Sequence, residues 1–335
     1  MEILMVNFIL KKLLSTLITI FFVSIVVFII IELPPGDFTD SFAAGRSDQG
    51  EVVSKAEIEN MRALYGLDRP VHERYFKWIW GIVSRGDFGI SFRYKSPVLF
   101  VIGERISFTT YLALLTMLFT YLIAIPIGIY SAMRQYTLGD YFFTFAGYLG
   151  LSIPSFLLAL LLLYFSTKYT HTTVGGLFSP EFKNAAWSMA KVVDMLKHIW
   201  VAAVVLAVAG TAKVIRTLRA TLLDEKSKLY VTAAKARGVS GNALIMKYPV
   251  RAAMNPIAST LGWELSYVIS GSPIVAVVLS IPDMGPLYLT ALLSQDMYLA
   301  GTLLIFMSLM TIIGTFISDI LLAILDPRIR LGIKI

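Results

Sequence analysis

From Leu13 to Ile31 the chain carries no charged residue. A helix over that run is about 28 Å long at about 1.5 Å per residue, close to the hydrocarbon thickness of a bilayer. In lipid every backbone N–H and C=O must be hydrogen-bonded internally, and a helix achieves this within a single segment. The run therefore reads as a transmembrane helix, and others follow it. Residues 106–133 are uncharged and interrupted only by Pro126 and Gly128; residues 141–167 contain Pro154. Residues 256–281 hold one acid, Glu264, and residues 297–325 hold one acid, Asp319. A weaker run, Ile199–Ala212, reaches spanning length as 198–215 when Lys213 and Arg216 extend their charged ends toward the headgroups. The expected fold class is an all-α polytopic membrane protein with about six transmembrane helices. Composition agrees, since 15% of the residues are charged against 57% hydrophobic, where soluble domains carry about a quarter charged.

Lys11 and Lys12 precede the first run much as basic residues precede a secretory signal. The run is longer than a signal's apolar region, and no small-residue cleavage site precedes Glu32-Leu33-Pro34-Pro35-Gly36, so residues 1–31 read as a retained N-terminal anchor. Orientation follows from lysine and arginine, which collect in cytoplasmic loops. Lys213, Arg216, Arg219, Lys226, Lys228, Lys235, Arg237, Lys247 and Arg251 lie between the fourth and fifth runs, against Asp224 and Glu225 as the acids. Loop 216–255 is thus expected in the cytoplasm, together with Arg134 and both termini. Lys168, Lys183, Lys191 and Lys197 fall on the other side and run against this bias. The net charge of +7 is accounted for by basic loops beside a lipid membrane, without nucleic acid as a partner.

Residues 32–105 form an expected extracytoplasmic insert. Ser54-Lys55-Ala56-Glu57 has the form of a capping box, and the helix it opens runs to Tyr65-Gly66, where glycine ends it. A second helix, starting near Asp68-Arg69-Pro70, places Val71, Tyr75, Trp78, Ile79 and Ile82 on one face before Gly86. That face is expected against the outer membrane surface or the spans, as a structural cap or as a platform for a solute-delivering protein. Asn184–Lys197, with Met189, Val192, Val193 and Leu196 at helical spacing, is expected as an interfacial helix. In loop 216–255 a helix continues over Leu218–Ala236 and stops at Gly238. Ser240-Gly241-Asn242 turns the chain into a second helix, and Asn255-Pro256 opens the fifth span. A helix, a glycine break and a second helix make a compact knob that fits a cleft in a soluble partner.

Several chemistries are excluded or left unsupported. There is no cysteine, and His72, His171 and His198 are too scattered for a metal cluster. No Gly-x-x-x-x-Gly-Lys-Ser/Thr phosphate loop occurs, so the chain does not hydrolyse ATP in the P-loop manner. Glu264 and Asp319 are acids inside apolar runs, where they serve either as ligand or proton sites or as structural groups satisfied within the bundle. For Asp319, near the end of its run, the structural reading is preferred; for Glu264 both stay open.

Three segments carry a resemblance. "LYVTAAKARGVSGNALIMKYPVRAAMNPI", Leu229–Ile257, resembles the EAA loop of binding-protein-dependent ABC importer permeases, in the form found in the dipeptide/oligopeptide family. "YGLDRPVHERYFKWIWGIVSRGDFGISF", Tyr65–Phe92, resembles that family's extracytoplasmic signature, and "DILLAILDPRIR", Asp319–Arg330, its C-terminal ending. The order and the six-span frame agree, and the long first loop resembles that of the subunit with a large insert after span one. Thr232 stands where the broader family has a glutamate, and Ala276 and Pro282-Asp283 stand where a glutamate and a Pro-Gly are usual.

The resemblance implies a permease subunit that forms half of a pathway for peptides or similar solutes in the cell inner membrane. Its implied partners are a second permease subunit, cytoplasmic ATP-binding subunits and an extracytoplasmic solute-binding protein. ATP and Mg would be bound by those partner subunits, with no catalytic residue and no cofactor in this chain. Residues 106–335 would be the permease core, and the helix with Tyr230, Ala233, Ala234, Lys235, Arg237 and Gly238 would couple it to an ATPase. Glu264, Ser270 and Pro273 are the pathway candidates. The alternative is a secondary transporter driven by an ion gradient, with Glu264 and Asp319 as its relay.

Overall fold

The computed structural model describes residues 2–33, 35–47, 53–170, 175–183 and 185–325. Helix α1 covers Glu2–Glu32; α2 (Phe38–Ser47), α3 (Lys55–Tyr65) and α4 (Val71–Arg85) follow, then a two-residue hairpin of β1 (Ile90–Ser91) and β2 (Ser96–Pro97). Ile90 pairs with Pro97 and Ser91 with Ser96, antiparallel. The remaining α-helices among the described residues are α5 (Val98–Met133), α6 (Leu138–Ser152), α7 (Ser155–Phe165, followed by a π-helical turn over Ser166–Thr170), α8 (Met189–Ser227), α9 (Leu229–Ala236), α10 (Gly241–Lys247), α11 (Pro249–Val278), α12 (Met284–Leu293) and α13 (Met297–Leu325). Among the described residues five helices are long and apolar enough to cross a membrane, and α6 with α7 makes a sixth if that bent pair is one span.

The chain divides into two compact units. One comprises Met1–Leu14, Thr110–Ile281 and Met310–Ile335, the other Ser15–Thr109 and Pro282–Leu309. In the first unit α8 is central. Val214, Ile215, Leu218 and Leu222 of α8 close a core with Ala124 and Ala132 of α5 and Val250, Ala253 and Ile257 of α11. Gly128 permits the α5 approach, since a Cβ there would stand 3.1 Å from Leu218. The Arg219 guanidinium donates to both oxygens of the buried Asp140 at 3.0 and 2.9 Å, fixing the start of α6 on α8. Helices α11 and α13 meet through small residues: a Cβ on Gly262 would lie 2.5 Å from Thr315 Cα, and Ser318 Oγ donates to the Ala258 carbonyl.

In the second unit an aromatic core gathers Phe28 of α1, Phe38, Tyr75, Trp78, Phe92 and Met297. The α3 helix starts as its sequence dictates, with Ser54 Oγ accepting from Glu57 N at 3.2 Å, and ends on Gly66 at φ +67°. The inward face of α4 holds Tyr75, Trp78, Ile79 and Ile82, and it packs on the span α1. The fully buried Asp296 carboxylate accepts from Ser91 Oγ and from Arg93 N at 3.0 Å, holding the hairpin to the start of α13.

Four expectations need correction. First, α8 is one helix from Met189 to Ser227, so no separate interfacial helix covers 184–197. One face of its first turns is held to the unit, where Ser179 donates twice to the buried Asp194, from N at 2.8 Å and Oγ at 2.6 Å, and the buried Lys191 donates through Nζ to the Ala185 carbonyl, while Met189, Val193 and Leu196 stay exposed. Second, the helix does not continue over Leu218–Ala236: Lys228 is extended, with ψ 148°, and divides α8 from α9. Third, α11 begins at Pro249 rather than Pro256, because Val250 and Ala253 belong to its buried stripe and draw the helix one turn and more upstream. Fourth, the 141–167 run is two helices bent by 105°. Pro154 cannot donate to the preceding turn and holds Ile153 extended, which ends α6 there.

Candidate coupling site and transport pathway

Helices α9 and α10 make the expected knob, with a core of its own. Val231, Ala234 and Leu244 are buried together, flanked by Val239 and Tyr248. Gly238 takes φ +88°, a conformation glycine adopts without a Cβ penalty. Through it Val239 N reaches back to the Ala234 carbonyl at 3.3 Å and Gly238 N to Lys235 at 3.0 Å, closing the end of α9.

The knob's root is held by charge. Glu225, in the last turn of α8, accepts from Lys228 Nζ at 2.6 Å and from Tyr230 Oη at 2.6 Å. Lys228 also lies 3.5 Å from Asp224. The Glu225 carboxylate holds the Lys228 ammonium above its usual pKa, while burial and then Glu225 push the Tyr230 phenol upward. Tyr230 is thereby a neutral donor that ties α9 to the end of α8.

The six candidate coupling residues separate into two groups. Ala233, Lys235, Arg237 and Gly238 are exposed, and Tyr230 is partly so. Ala234 is fully buried against the knob's own core, so it shapes the knob and presents no surface. An apolar residue that the motif reading passed over, Leu229, is 86% exposed at the start of α9. The sequence reading ran one helix through this position, so the break at Lys228 that exposes Leu229 is visible only in the structure.

Glu264 lies on α11 and is 4% exposed. Lys213 of α8 donates to its Oε1 at 3.0 Å, and Gly210 leaves room for the other oxygen, since a Cβ there would stand 3.1 Å from Oε2. Lys213 was read as reaching for headgroups; its ammonium instead serves the buried acid of the neighbouring helix. Asp319 pairs with Lys12 at 2.7 Å. Pro273 is half-buried inside α11, and the Ser270 side chain lies outside the described residues. Ala276 is buried near the C-terminal end of α11, where its carbonyl accepts from Ile281 N at 2.9 Å. Asp283 is fully buried and caps α12, accepting from Gly285 N at 3.4 Å and bonding the Thr109 hydroxyl. Among the described residues no group of three or more His, Asp or Glu is placed to hold a metal.

Comparison with known proteins places this geometry. Residues 124–331 match the family described as binding-protein-dependent transport system inner membrane component, and residues 5–113 match the N-terminal part of that membrane component. The chain is similar to the oligopeptide transport system permease protein AppB of Bacillus subtilis, 30% identical over 97% of this chain and 100% of that one. It is also similar to the inner membrane ABC transporter permease protein YejB of Escherichia coli O157:H7, 34% identical over 88% of this chain and 80% of that one. The glutathione transport system permease protein GsiC of Escherichia coli is 28% identical over 97% and 99%. The ion-gradient alternative is thereby set aside, and both acids proposed as its relay are held by lysines. The chain is an inner-membrane, multi-pass member of the binding-protein-dependent transport family, a permease subunit of an ATP-binding-cassette importer.

Proposed function

We propose that this subunit forms half of a pathway for peptides or similar solutes and is driven through the α9–α10 knob by a cytoplasmic ATP-binding subunit. The observation that carries the coupling assignment is the knob itself: a small self-cored protrusion with Leu229, Ala233, Lys235 and Arg237 outward. Small and basic side chains on a rigid turn suit insertion into a cleft of a soluble partner. Peptides are the favoured cargo because AppB, at 30% identity over nearly the full chain, is named for oligopeptide transport.

In this reading residues 216–255 and both termini are cytoplasmic, and the insert 32–105 is extracytoplasmic. The first 31 residues are the anchor helix and 106–335 the permease core. A second permease subunit completes the pathway, a solute-binding protein delivers cargo, and ATP with Mg is bound and hydrolysed by the partner subunits. This chain supplies no catalytic group and no cofactor; it supplies contacts that differ between two states, which is what coupling requires. Glu264, Ser270 and Pro273 lie on the α11 segment assigned to the pathway, with Glu264 held by Lys213 as part of the wall.

The test is a pull-down from the native membrane with wild type, Ala233→Glu and Leu229→Glu. The ATPase subunit is expected to co-purify with wild type and to be lost from both variants while the second permease is retained. Retention of the ATPase by both variants would remove the coupling assignment from α9. Uptake of labelled peptides by the reconstituted complex tests the cargo separately.

A further inference from the structure

Helix α4 has two apolar faces, and the core uses one. Tyr75 and Trp78 are buried with half-buried Ile79 and Ile82 beside them. Phe76, Trp80 and Val83, spaced i, i+4 and i+7, form a second stripe that is 66%, 70% and 76% exposed. The polar residues His72, Glu73, Lys77, Ser84 and Arg85 are exposed beside it. Three large apolar side chains in one stripe are costly to leave in water.

The depth of α4 identifies what covers the stripe. On α1 the uncharged run ends at Glu32, so Glu32 marks one boundary of the hydrocarbon. Arg74 pairs with Glu32 at 2.5 Å, at that boundary. Tyr75 Oη bonds Ser24 Oγ at 2.9 Å, and Ser24 lies about 12 Å along α1 below Glu32, at about 1.5 Å per residue. The Phe28 ring, between those two levels, lies 5.3 Å from Tyr75 and 5.8 Å from Trp78. A second span supplies an independent ruler. On α13 the uncharged run opens after Asp296; Trp78 lies against Gly301, and Phe88, just past α4, packs 5.6 Å from Phe306. Both rulers set α4 below the boundary marked by Glu32 and Asp296.

We infer that α4 is seated in one leaflet of the bilayer, with Phe76, Trp80 and Val83 in the acyl chains just beneath the headgroups and Glu73 and Lys77 turned to water. An amphipathic helix at an interface buries its apolar face about 5–10 Å into the headgroup–acyl boundary, and the contacts of α4 on both spans start at that boundary and run below it. Trp80 has the character of the aromatic belt residues found at that level. The insert is thus part of the membrane-embedded body at α4, and its lipid contact is a shallow stripe beside the span.

The natural absence of cysteine makes the test direct. Single cysteines at Phe76→Cys, Trp80→Cys, Val83→Cys, Glu73→Cys and Lys77→Cys are spin-labelled in the full chain, reconstituted with its partner subunits in phospholipid nanodiscs. Collisions with oxygen, which concentrates in lipid, are compared with those of a water-soluble nickel chelate. Oxygen is expected to exceed nickel by about threefold or more at 76, 80 and 83, and nickel to dominate at 73 and 77, as for an interfacial helix. Nickel dominance at all five positions would place the stripe in water and overturn the inference. Immobilised labels reached by neither reagent would show a protein covering the stripe and overturn it equally. If Trp80→Cys fails to assemble, positions 76 and 83 decide the outcome.

Discussion

Lys213 Nζ donates to Glu264 Oε1 at 3.0 Å, joining α8 to α11 across 51 residues of sequence. Glu264 is almost wholly buried while Lys213 is 40% exposed, so the two members are unequal. Removing the lysine strands a buried carboxylate; removing both leaves nothing to satisfy.

Lys213→Met should therefore lower stability by about 1–3 kcal/mol, the cost of an unsatisfied buried polar group, and Lys213→Met with Glu264→Met should regain most of it. Thermal unfolding of the detergent-solubilised chain measures this. Equal melting of Lys213→Met and wild type would show that the pair contributes nothing.

The knob makes a sharper distinction between neighbours. Ala234→Glu forces a charge into the Val231–Leu244 core and should open the knob to protease within the native chain, whereas the exposed Ala233→Glu should leave digestion unchanged. If the two variants are digested alike, the knob does not have the core described.

Packing of α11 on α13 depends on the missing side chain at Gly262, where a Cβ would meet Thr315 Cα at 2.5 Å. Gly262→Val should cost about 1–3 kcal/mol or more through overpacking. A companion Thr315→Gly should not restore the loss, because the nearest atoms are the Thr315 backbone Cα and N; full recovery in the double variant would count against that backbone contact.

Asp283 is fully buried and caps α12. Asp283→Ala should destabilise by about 0.5–2 kcal/mol as other N-cap losses do, with Asp283→Asn milder. Hydrogen exchange in the first turn of α12 reads the effect; unchanged protection in the alanine variant would refute the cap.

The insert carries a pH dependence. Burial pushes the Asp37 carboxyl up, but hydrogen bonds from Thr39 and the charge of Arg62 together hold it below its ordinary value of 3.8. A depressed folded pKa gives stability that is present above the unfolded value and is lost as pH falls through the folded one. Protection of α2 and α3 amides should therefore be constant from neutrality to about pH 5 and fall below about pH 4. Asp37→Asn should show the weakened state at neutral pH.

The residues that were legible in advance are those whose meaning is local. Uncharged length announced the spans, Ser54 and Gly66 announced the ends of α3, and Gly238 announced the close of α9. What stayed hidden depends on partners distant in sequence. Lys191 looked like a charge against the orientation rule, yet it is 6% exposed, donates to Ala185 and lies 4.7 Å from the Phe178 ring. Lys213 belonged to Glu264, and Ala234 turned inward because Leu244 was there to meet it. The unbroken length of α8 was missed for the same reason. Met189, Val192, Val193 and Leu196 at helical spacing look like a separate interfacial helix until Ser179 and Ala185 are seen to tie Asp194 and Lys191 into the start of α8.

That length has a mechanical meaning. Helix α8 is continuous over 39 residues, a rod of about 58 Å at about 1.5 Å per residue. It ends at the Glu225–Lys228–Tyr230 clamp and begins beside the strap that Ser179 fastens to Asp194. A stiff rod has no need of a relay of side chains: torque applied at Lys228 swings the far end in the same instant, and the lever arm multiplies a small rotation into a larger stroke. Pro126 and Pro273 lie inside α5 and α11 and Pro154 between α6 and α7, so α8, like α1 and α13, is a long rod without a proline hinge.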